Sequence, residues 1–135
     1  MACIWVVDDE PLLRHAILAV LEEVGHEGEG FGDAEQLYRR LVEPGQELPD
    51  LLILDQMLPD EDGAQIVHSL RERQEYRDIP IMLLTAVSEA EADRLRDLAP
   101  VVRKPFDFRD LLATVDSLLA PSDSGRLEEE APATS

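Results

Sequence analysis

A small set of polar side chains follows directly after short apolar runs in this sequence of 135 residues. Such runs, unbroken by polar residues, are typical of strands buried on both faces of a parallel sheet. Parallel strands end at the same edge of their sheet, and ligands bind outside those ends, so we expect the polar residues to lie together. They are Asp8 and Asp9 after 3-CIWVV-7, Asp55 after 51-LLIL-54, Thr85 ending 81-IMLLT-85, and Lys104 after 101-VVR-103.

These residues have the composition of a metal-dependent phosphoryl-transfer site. Three carboxylates packed together repel one another, and a hard divalent cation relieves that repulsion. Mg²⁺ suits the set best, with Mn²⁺ as the alternative, because it takes one or two carboxylates together with waters and phosphate oxygens. An ionised aspartate can then act as a nucleophile toward phosphorus, while the metal, the Thr85 hydroxyl and the Lys104 ammonium each hold a phosphoryl oxygen.

Lys104 is the sole lysine of the chain, since the other eleven basic side chains are arginines. A compact ammonium on a flexible stem fits a narrow anionic pocket that would not take the broad fork of arginine. Ordinary residue usage is the alternative for the lysine taken alone. Its position at a predicted strand end favours the interpretation that Lys104 lies in such an anionic pocket.

Segments with strand character alternate with segments of helical periodicity along the chain. The predicted strands are 3–7, 27–31, 51–54, 81–85 and 101–103, and the glycine-rich second strand is placed at a sheet edge. Five helices are predicted. The first follows residue 11, has Leu13, Ile17, Val20, Leu21 and Val24 on one side and ends at Gly25, and the second is capped by Asp33 and carries Leu37, Leu41 and Val42. The third lies around Ile66, Val67 and Leu70, the fourth covers 89–99 with Ser88 as its cap, and the fifth covers 107–119. This alternation predicts a single α/β domain, a doubly wound, five-stranded parallel sheet with five helices.

Charge and composition narrow the classes of partner. The formal net charge of -18 repels nucleic acid and anionic membranes, so no direct nucleic-acid binding is expected. No apolar run is long enough for membrane insertion, and since no charged-then-apolar leader is recognised, we expect no secretion. The single cysteine, Cys3, suits a reducing compartment, so we expect a cytoplasmic protein. Residues 121–135 are expected to form an acidic, disordered tail after a domain over 1–120.

Four motifs give the chain its resemblance to a known family. The segments 6-VVDDEP-11, 54-LDQMLPDEDG-63, 83-LLTA-86 and 103-RKPF-106 occur in order, and over residues 1–120 the sequence resembles the receiver domain of bacterial two-component response regulators. The resemblance implies a flavodoxin-like fold and a phosphoryl group accepted on Asp55 from a histidine kinase or phosphotransfer protein. It implies Mg²⁺ held by Asp8, Asp9, Asp55 and the Met57 backbone carbonyl. It also implies that Thr85 and Lys104 contact the phosphoryl group, and that Pro105 follows a cis peptide bond.

The sequence departs from the family pattern at positions that modulate signalling. Val101 stands where the family often has an aromatic switch residue, and the segment between Thr85 and Lys104 is shorter by about one helical turn. We therefore expect weaker coupling to the usual face of the fourth and fifth helices, or another signalling surface. Met57 and Val87 are apolar and cannot orient an attacking water, so we expect a long-lived acyl phosphate.

The resulting prediction is a stand-alone receiver that signals by a phosphorylation-biased conformational change to an unknown protein target. It would be no enzyme in the usual sense, since it catalyses only its own phosphorylation and dephosphorylation. Two alternatives stay open. One is a receiver that binds a partner without phosphorylation. The other, less favoured, is an aspartate-nucleophile phosphatase, which would need a second aspartate at the position of Met57.

Overall fold

The structure, a computed structural model, describes residues 2–120 of the chain. Five parallel strands form one sheet in the order β2-β1-β3-β4-β5. The strands are β1 Cys3–Val7, β2 Glu27–Phe31, β3 Leu51–Asp55, β4 Ile81–Thr85 and β5 Val101–Arg103. The helices are α1 Pro11–Glu23, α2 Ala34–Leu41, α3 Gly63–Arg71, α4 Glu89–Leu95 and α5 Phe108–Leu119. The predicted α/β fold, flavodoxin-like and doubly wound, is confirmed.

The sheet separates two hydrophobic cores because successive side chains of a strand point to opposite faces. In β1, Trp5 and Val7 join the core under α2, α3 and α4, whereas Ile4 and Val6 join the core under α1 and α5. All four side chains are fully buried. Burying a side chain of this size stabilises a fold by roughly 1.5–3 kcal/mol, and this two-sided burial accounts for the apolar runs in the sequence.

The edge position predicted for β2 is confirmed, and the packing of α1 explains its glycines. A Cβ atom built at Gly28 would lie 2.6 Å from Cδ2 of Leu18 on α1. A larger residue at this position would require the Leu18 side chain to move, so the glycine lets α1 pack closely on the edge strand. The poor strand character of this segment reflects close packing.

Three predicted helix ends are confirmed. Asp33 accepts a hydrogen bond from the Gln36 amide at 2.9 Å, and Ser88 accepts one from the Glu91 amide at 3.3 Å. Helix α1 ends before Gly25, whose φ is +100°.

Other helix ends and faces differ from the prediction. Helix α4 ends at Leu95, four residues short of 99, since the chain tightens into i→i+3 bonds such as Leu98 N–H to Leu95 O at 2.9 Å before Pro100. Helix α5 begins at Phe108 because Asp107 caps it. Val24 and Val42 were expected on apolar faces, but both are exposed because each follows the last helical residue as a C-cap.

No helix within residues 2–120 is both long and apolar enough to cross a membrane. The tail predicted over 121–135 lies outside the described residues.

Candidate functional site

The candidate site lies where β1 and β3 end side by side. These strands pair with Val7 opposite Leu54, so the next residues, Asp8 and Asp55, are brought together across the pair. The strand order reverses between β2 on one side of β1 and β3 on the other, which is the position where open α/β sheets bind ligands.

The three predicted carboxylates converge at this edge. One oxygen from each of Asp8, Asp9 and Asp55 lies within 4.8 Å of the others. Asp8 and Asp55 are buried and Asp9 is exposed, so the cluster opens to solvent on one side only. Its donors are all hard oxygens, which Mg²⁺ and Mn²⁺ prefer, and the residues present fit such an ion.

Lys104 supplies the positive charge that the predicted pocket requires. Its Nζ lies 3.3 Å from Oδ2 of Asp8 and 3.4 Å from Oδ1 of Asp55, so it bridges two buried carboxylates. The peptide bond between Lys104 and Pro105 is cis, as expected from the resemblance. The only lysine of the sequence thus stands against the acidic cluster.

The pKa of Asp55 reflects the burial of its side chain. The pKa of Asp55 is raised to about 6; burial is the main cause, and the nearby Asp8 carboxylate acts in the same direction. The Met57 amide, which donates to Oδ1 at 3.2 Å, and the Lys104 ammonium act in the opposite direction. The carboxylate is therefore ionised at neutral pH but poorly stabilised, as is expected of a group that binds a cation or attacks phosphorus.

Thr85 is fully buried at the end of β4, two strands from β1. Its Oγ1 accepts a hydrogen bond from the Val87 amide at 3.2 Å. Its carbonyl accepts one from the Lys104 amide at 2.6 Å, which joins the ends of β4 and β5. The hydroxyl hydrogen stays available for a ligand, because a hydroxyl can accept and donate at the same time.

The residues predicted to modulate the site surround it. Met57 is 65% exposed. Its backbone carbonyl remains a predicted metal ligand. Val87 and Val101 are half-buried and pack against the core under α2, α3 and α4, while Pro105 is exposed.

Gly63 was not identified from sequence as a site residue. A Cβ atom there would lie 2.9 Å from the Asp55 carbonyl oxygen and 2.9 Å from Gln56 Cα. Helix α3 therefore begins in backbone contact with the end of β3. A glycine at the first position of a helix, where it is a poor helix former, is the signal that could have identified it.

Asp60 was also missed. Its two carboxylate oxygens accept the Ala34 and Glu35 amides at 3.0 Å each, so the loop after β3 caps α2. The hydrogen bond from Ala34 is the main cause that lowers the pKa of Asp60. The same loop is also attached to α3, because Gln56 Oε1 accepts a hydrogen bond from the Ala64 amide at 2.9 Å.

An apolar groove adjoins the cluster on the side of Lys104. It has a volume of about 560 Å³ and runs between the start of α1 and the segment after β5. Leu12, which is 81% exposed, lies on one wall, and Phe106 and Phe108 lie on the other. Apolar side chains on an open surface beside a reactive group are typical of an interaction site.

Comparison with known proteins adds an independent finding. The sequence model described as "Response regulator receiver domain" matches residues 4–116. The phosphate regulon transcriptional regulatory protein PhoB of Escherichia coli K12 is 35% identical over 130 residues, which cover 93% of this chain and 55% of PhoB. PhoB of Rhizobium meliloti is 40% identical over 120 residues, covering 86% of this chain and 51% of that protein. The chain thus spans about half the length of these curated relatives, and the expectation of a stand-alone receiver stays a prediction.

One solved structure carries a ligand of interest. The response regulator TrrA of Thermotoga maritima, solved in complex with Mg²⁺-BeF, superposes with a TM-score of 0.74 at 32% identity, covering 88% of this chain and 100% of that one.

Proposed function

The chain belongs to the response regulator receiver domain family, and from this premise we propose that it accepts a phosphoryl group on Asp55. The observation that carries the proposal is the convergence of three carboxylates within 4.8 Å, with the Lys104 ammonium 3.4 Å from Asp55. The donor would be a histidine kinase or a phosphotransfer protein, or a small acyl phosphate in vitro.

Each residue has a defined part in the proposed reaction. A carboxylate oxygen of Asp55 attacks phosphorus, and the bond from phosphorus to the donor's nitrogen or oxygen breaks as the acyl phosphate forms. The Met57 amide orients the carboxylate, Lys104 neutralises one phosphoryl oxygen, and the Thr85 hydroxyl donates to another.

Asp8, Asp9 and Asp55 would hold a divalent cation, with the Met57 carbonyl as the proposed further ligand. When bound, Mg²⁺ supplies positive charge that offsets the carboxylates and the phosphoryl oxygens. The magnesium in the structure of the Thermotoga relative supports this assignment. Without a cation, Lys104 alone faces two buried carboxylates.

The apolar groove beside Lys104 supports a protein donor. Donor and acceptor atoms must approach within about 3–3.5 Å, so a donor protein has to dock next to Asp55. Exposed Leu12 and the rings of Phe106 and Phe108 line this groove together with Lys104, so they offer an apolar contact beside the site.

A phosphatase acting on other substrates is the weaker candidate. Its general acid and base would stand two residues after the nucleophile, where this chain has the thioether of Met57. We therefore treat the chain as a phosphoacceptor that promotes only its own phosphorylation and dephosphorylation.

The test is phosphorylation by acetyl phosphate with and without Mg²⁺, followed by intact mass. Wild type should gain one phosphoryl group only with the cation, and Asp55→Asn should gain none, because the amide cannot form an acyl phosphate. Circular dichroism of Asp55→Asn controls for folding. A wild-type mass that stays constant with every donor would favour the phosphorylation-independent receiver.

A further inference from the structure

Arg103 joins β5 to the loop between β4 and α4. Its Nε and Nη2 lie 3.3 and 3.1 Å from the Val87 carbonyl oxygen, and its Nη1 lies 2.8 Å from a carboxylate oxygen of Glu89. The guanidinium therefore contacts the loop backbone and the first residue of α4 together. Only a planar fork with several donors can make these contacts at once.

The backbone of Val87 links Arg103 to the phosphoryl-transfer site. Its carbonyl, in the peptide with Ser88, accepts from Arg103, and its N–H, in the neighbouring peptide with Ala86, donates to Thr85 Oγ1 at 3.2 Å. Arg103 also stands opposite Thr85 in the pairing of β4 with β5. Because this N–H occupies one lone pair of the Thr85 oxygen, the backbone conformation at Val87 limits where the hydroxyl hydrogen can point.

The rest of β5 offers no substitute for this contact. Val101, two residues earlier on the same face of the strand, has only apolar atoms and packs into the core. A loop that is held by apolar packing alone has no directional restraint on its peptide planes. The polar side chain of β5 that reaches this loop is Arg103.

We propose that Arg103 is a positioning residue for phosphorylation of Asp55, acting through the backbone of Val87 on the Thr85 hydroxyl. This inference rests on the proposed function. The contacts of Arg103 are with the Val87 carbonyl and with Glu89, not with the carboxylates of the site. It sets the conformation of the loop that presents Thr85, and it links β5 to that loop.

The competing interpretation is an ordinary surface ion pair. The side chain of Arg103 is 41% exposed and that of Glu89 is 62% exposed, and a pair so exposed adds little to stability. The hydrogen bonds to the Val87 carbonyl distinguish the two interpretations. A surface ion pair has no reason to affect phosphorylation, whereas a positioning contact does.

The test is a double-mutant cycle on the rate of phosphorylation by acetyl phosphate in excess Mg²⁺, read by intact mass. The variants are Arg103→Gln, Thr85→Ala and the double mutant, with Arg103→Lys as the conservative change. Arg94→Gln, which removes the same charge from an exposed position on α4, is the matched control.

We expect Arg103→Gln to slow phosphorylation about threefold to tenfold, the size of effect that loss of such hydrogen bonds produces. The double mutant should be no slower than Thr85→Ala, because Arg103 acts only through that hydroxyl. Arg103→Lys should fall between wild type and Arg103→Gln, and Arg94→Gln should match wild type.

Three results would overturn the inference. The first is that Arg103→Gln is phosphorylated at the wild-type rate, and the second is that Arg103→Gln slows phosphorylation by the same factor in wild type and in Thr85→Ala. The third is that Arg94→Gln slows phosphorylation as much as Arg103→Gln does. If Arg103→Gln fails to fold, the same cycle is run with Arg103→Lys, whose partial effect must also vanish with Thr85→Ala. In each case wild type still gains phosphate. A wild type that gains none refutes the proposed function itself, and the inference with it.

Discussion

At the scale of single residues, the site concentrates negative charge where water has been excluded. Asp8 and Asp55 are buried together, and Lys104 is the cation that faces both. Burial raises the pKa of Asp55 to about 6, so its ionised form is less stable in the folded protein than in the unfolded chain. A bound divalent cation would offset this concentration of negative charge.

The first prediction concerns stability against pH without divalent cations. The pKa of Asp55 lies above its ordinary value of 3.8, so the folded state binds more protons than the unfolded state between about pH 4 and 6. The contribution of Asp55 to the free energy of unfolding should fall as pH rises through this window. At pH 7 and in EDTA, Asp55→Asn should be more stable than wild type by about 1–3 kcal/mol.

Chemical denaturation at pH 4 and pH 7 checks this. The difference between wild type and Asp55→Asn should be much smaller near pH 4, where Asp55 of the folded protein is protonated and therefore neutral like asparagine. At pH 7, excess Mg²⁺ should stabilise wild type more than the variant. An equal difference at both pH values would contradict the assigned pKa.

A second prediction concerns the lifetime of the acyl phosphate. Met57 and Val87 present apolar side chains beside Asp55 and Thr85, so neither can orient a hydrolytic water. Val87→Glu should speed dephosphorylation by up to about tenfold, because a carboxylate at this position can hold and polarise water. Intact mass is followed after the donor is removed, with Val87→Leu as the apolar control. Equal decay of both variants would show that this side chain does not control access of water.

At the scale of elements, the loop after β3 is built for rigidity. Asp60 caps α2 from this loop, Gln56 holds the start of α3, and Gly63 lets α3 meet the backbone of β3. The segment that follows Asp55 is thereby attached to α2 and α3 at once.

A third prediction tests this contact. In Gly63→Ala, the new Cβ would lie 2.9 Å from two backbone atoms, so the start of α3 must shift. The clash should outweigh the better helix propensity of alanine and lower the free energy of unfolding by about 1–3 kcal/mol. Gly32→Ala is the matched control, because its Cβ would come no closer than 3.5 Å to a side-chain atom. Urea denaturation should leave the control unchanged, and two equal midpoints would refute the contact.

At the scale of the whole molecule, repulsion among the many acidic side chains is the main electrostatic effect on stability. Thirty acidic residues against twelve basic ones leave a net charge of -18. The ion pairs at the surface, such as Arg39 with Glu35 at 2.8 Å, are exposed and add little. Repulsion between like charges should therefore exceed the attraction that these pairs supply.

A fourth prediction follows for salt. Raising NaCl from about 0.05 to 0.5 M shortens the Debye length to a few ångströms and screens this repulsion. The thermal midpoint in EDTA should rise, although the surface ion pairs weaken at the same time. Differential scanning fluorimetry measures it. A falling midpoint would mean that the ion pairs, and not the net charge, dominate the electrostatics.

The sequence by itself determined the alternation of elements and the chemistry of the site. Apolar runs define strands buried on both faces, and the polar residue after each run must then lie at one edge, so Asp8, Asp55, Thr85 and Lys104 were predicted without coordinates. Four motifs in order determined the family. These features depend only on local periodicity and on residue type.

Only the tertiary structure decided the contacts between elements that are distant along the chain. The caps that Asp60 provides for α2, the approach of Gly63 to Asp55 and the reach of Arg103 to Val87 each depend on distances of about 3 Å between different elements. Periodicity defines the face on which a residue lies, but not the direction of a long side chain or the separation of two backbones. The early end of α4 has the same cause, because hydrogen bonding in the last turn, and not the apolar pattern, decides where a helix stops.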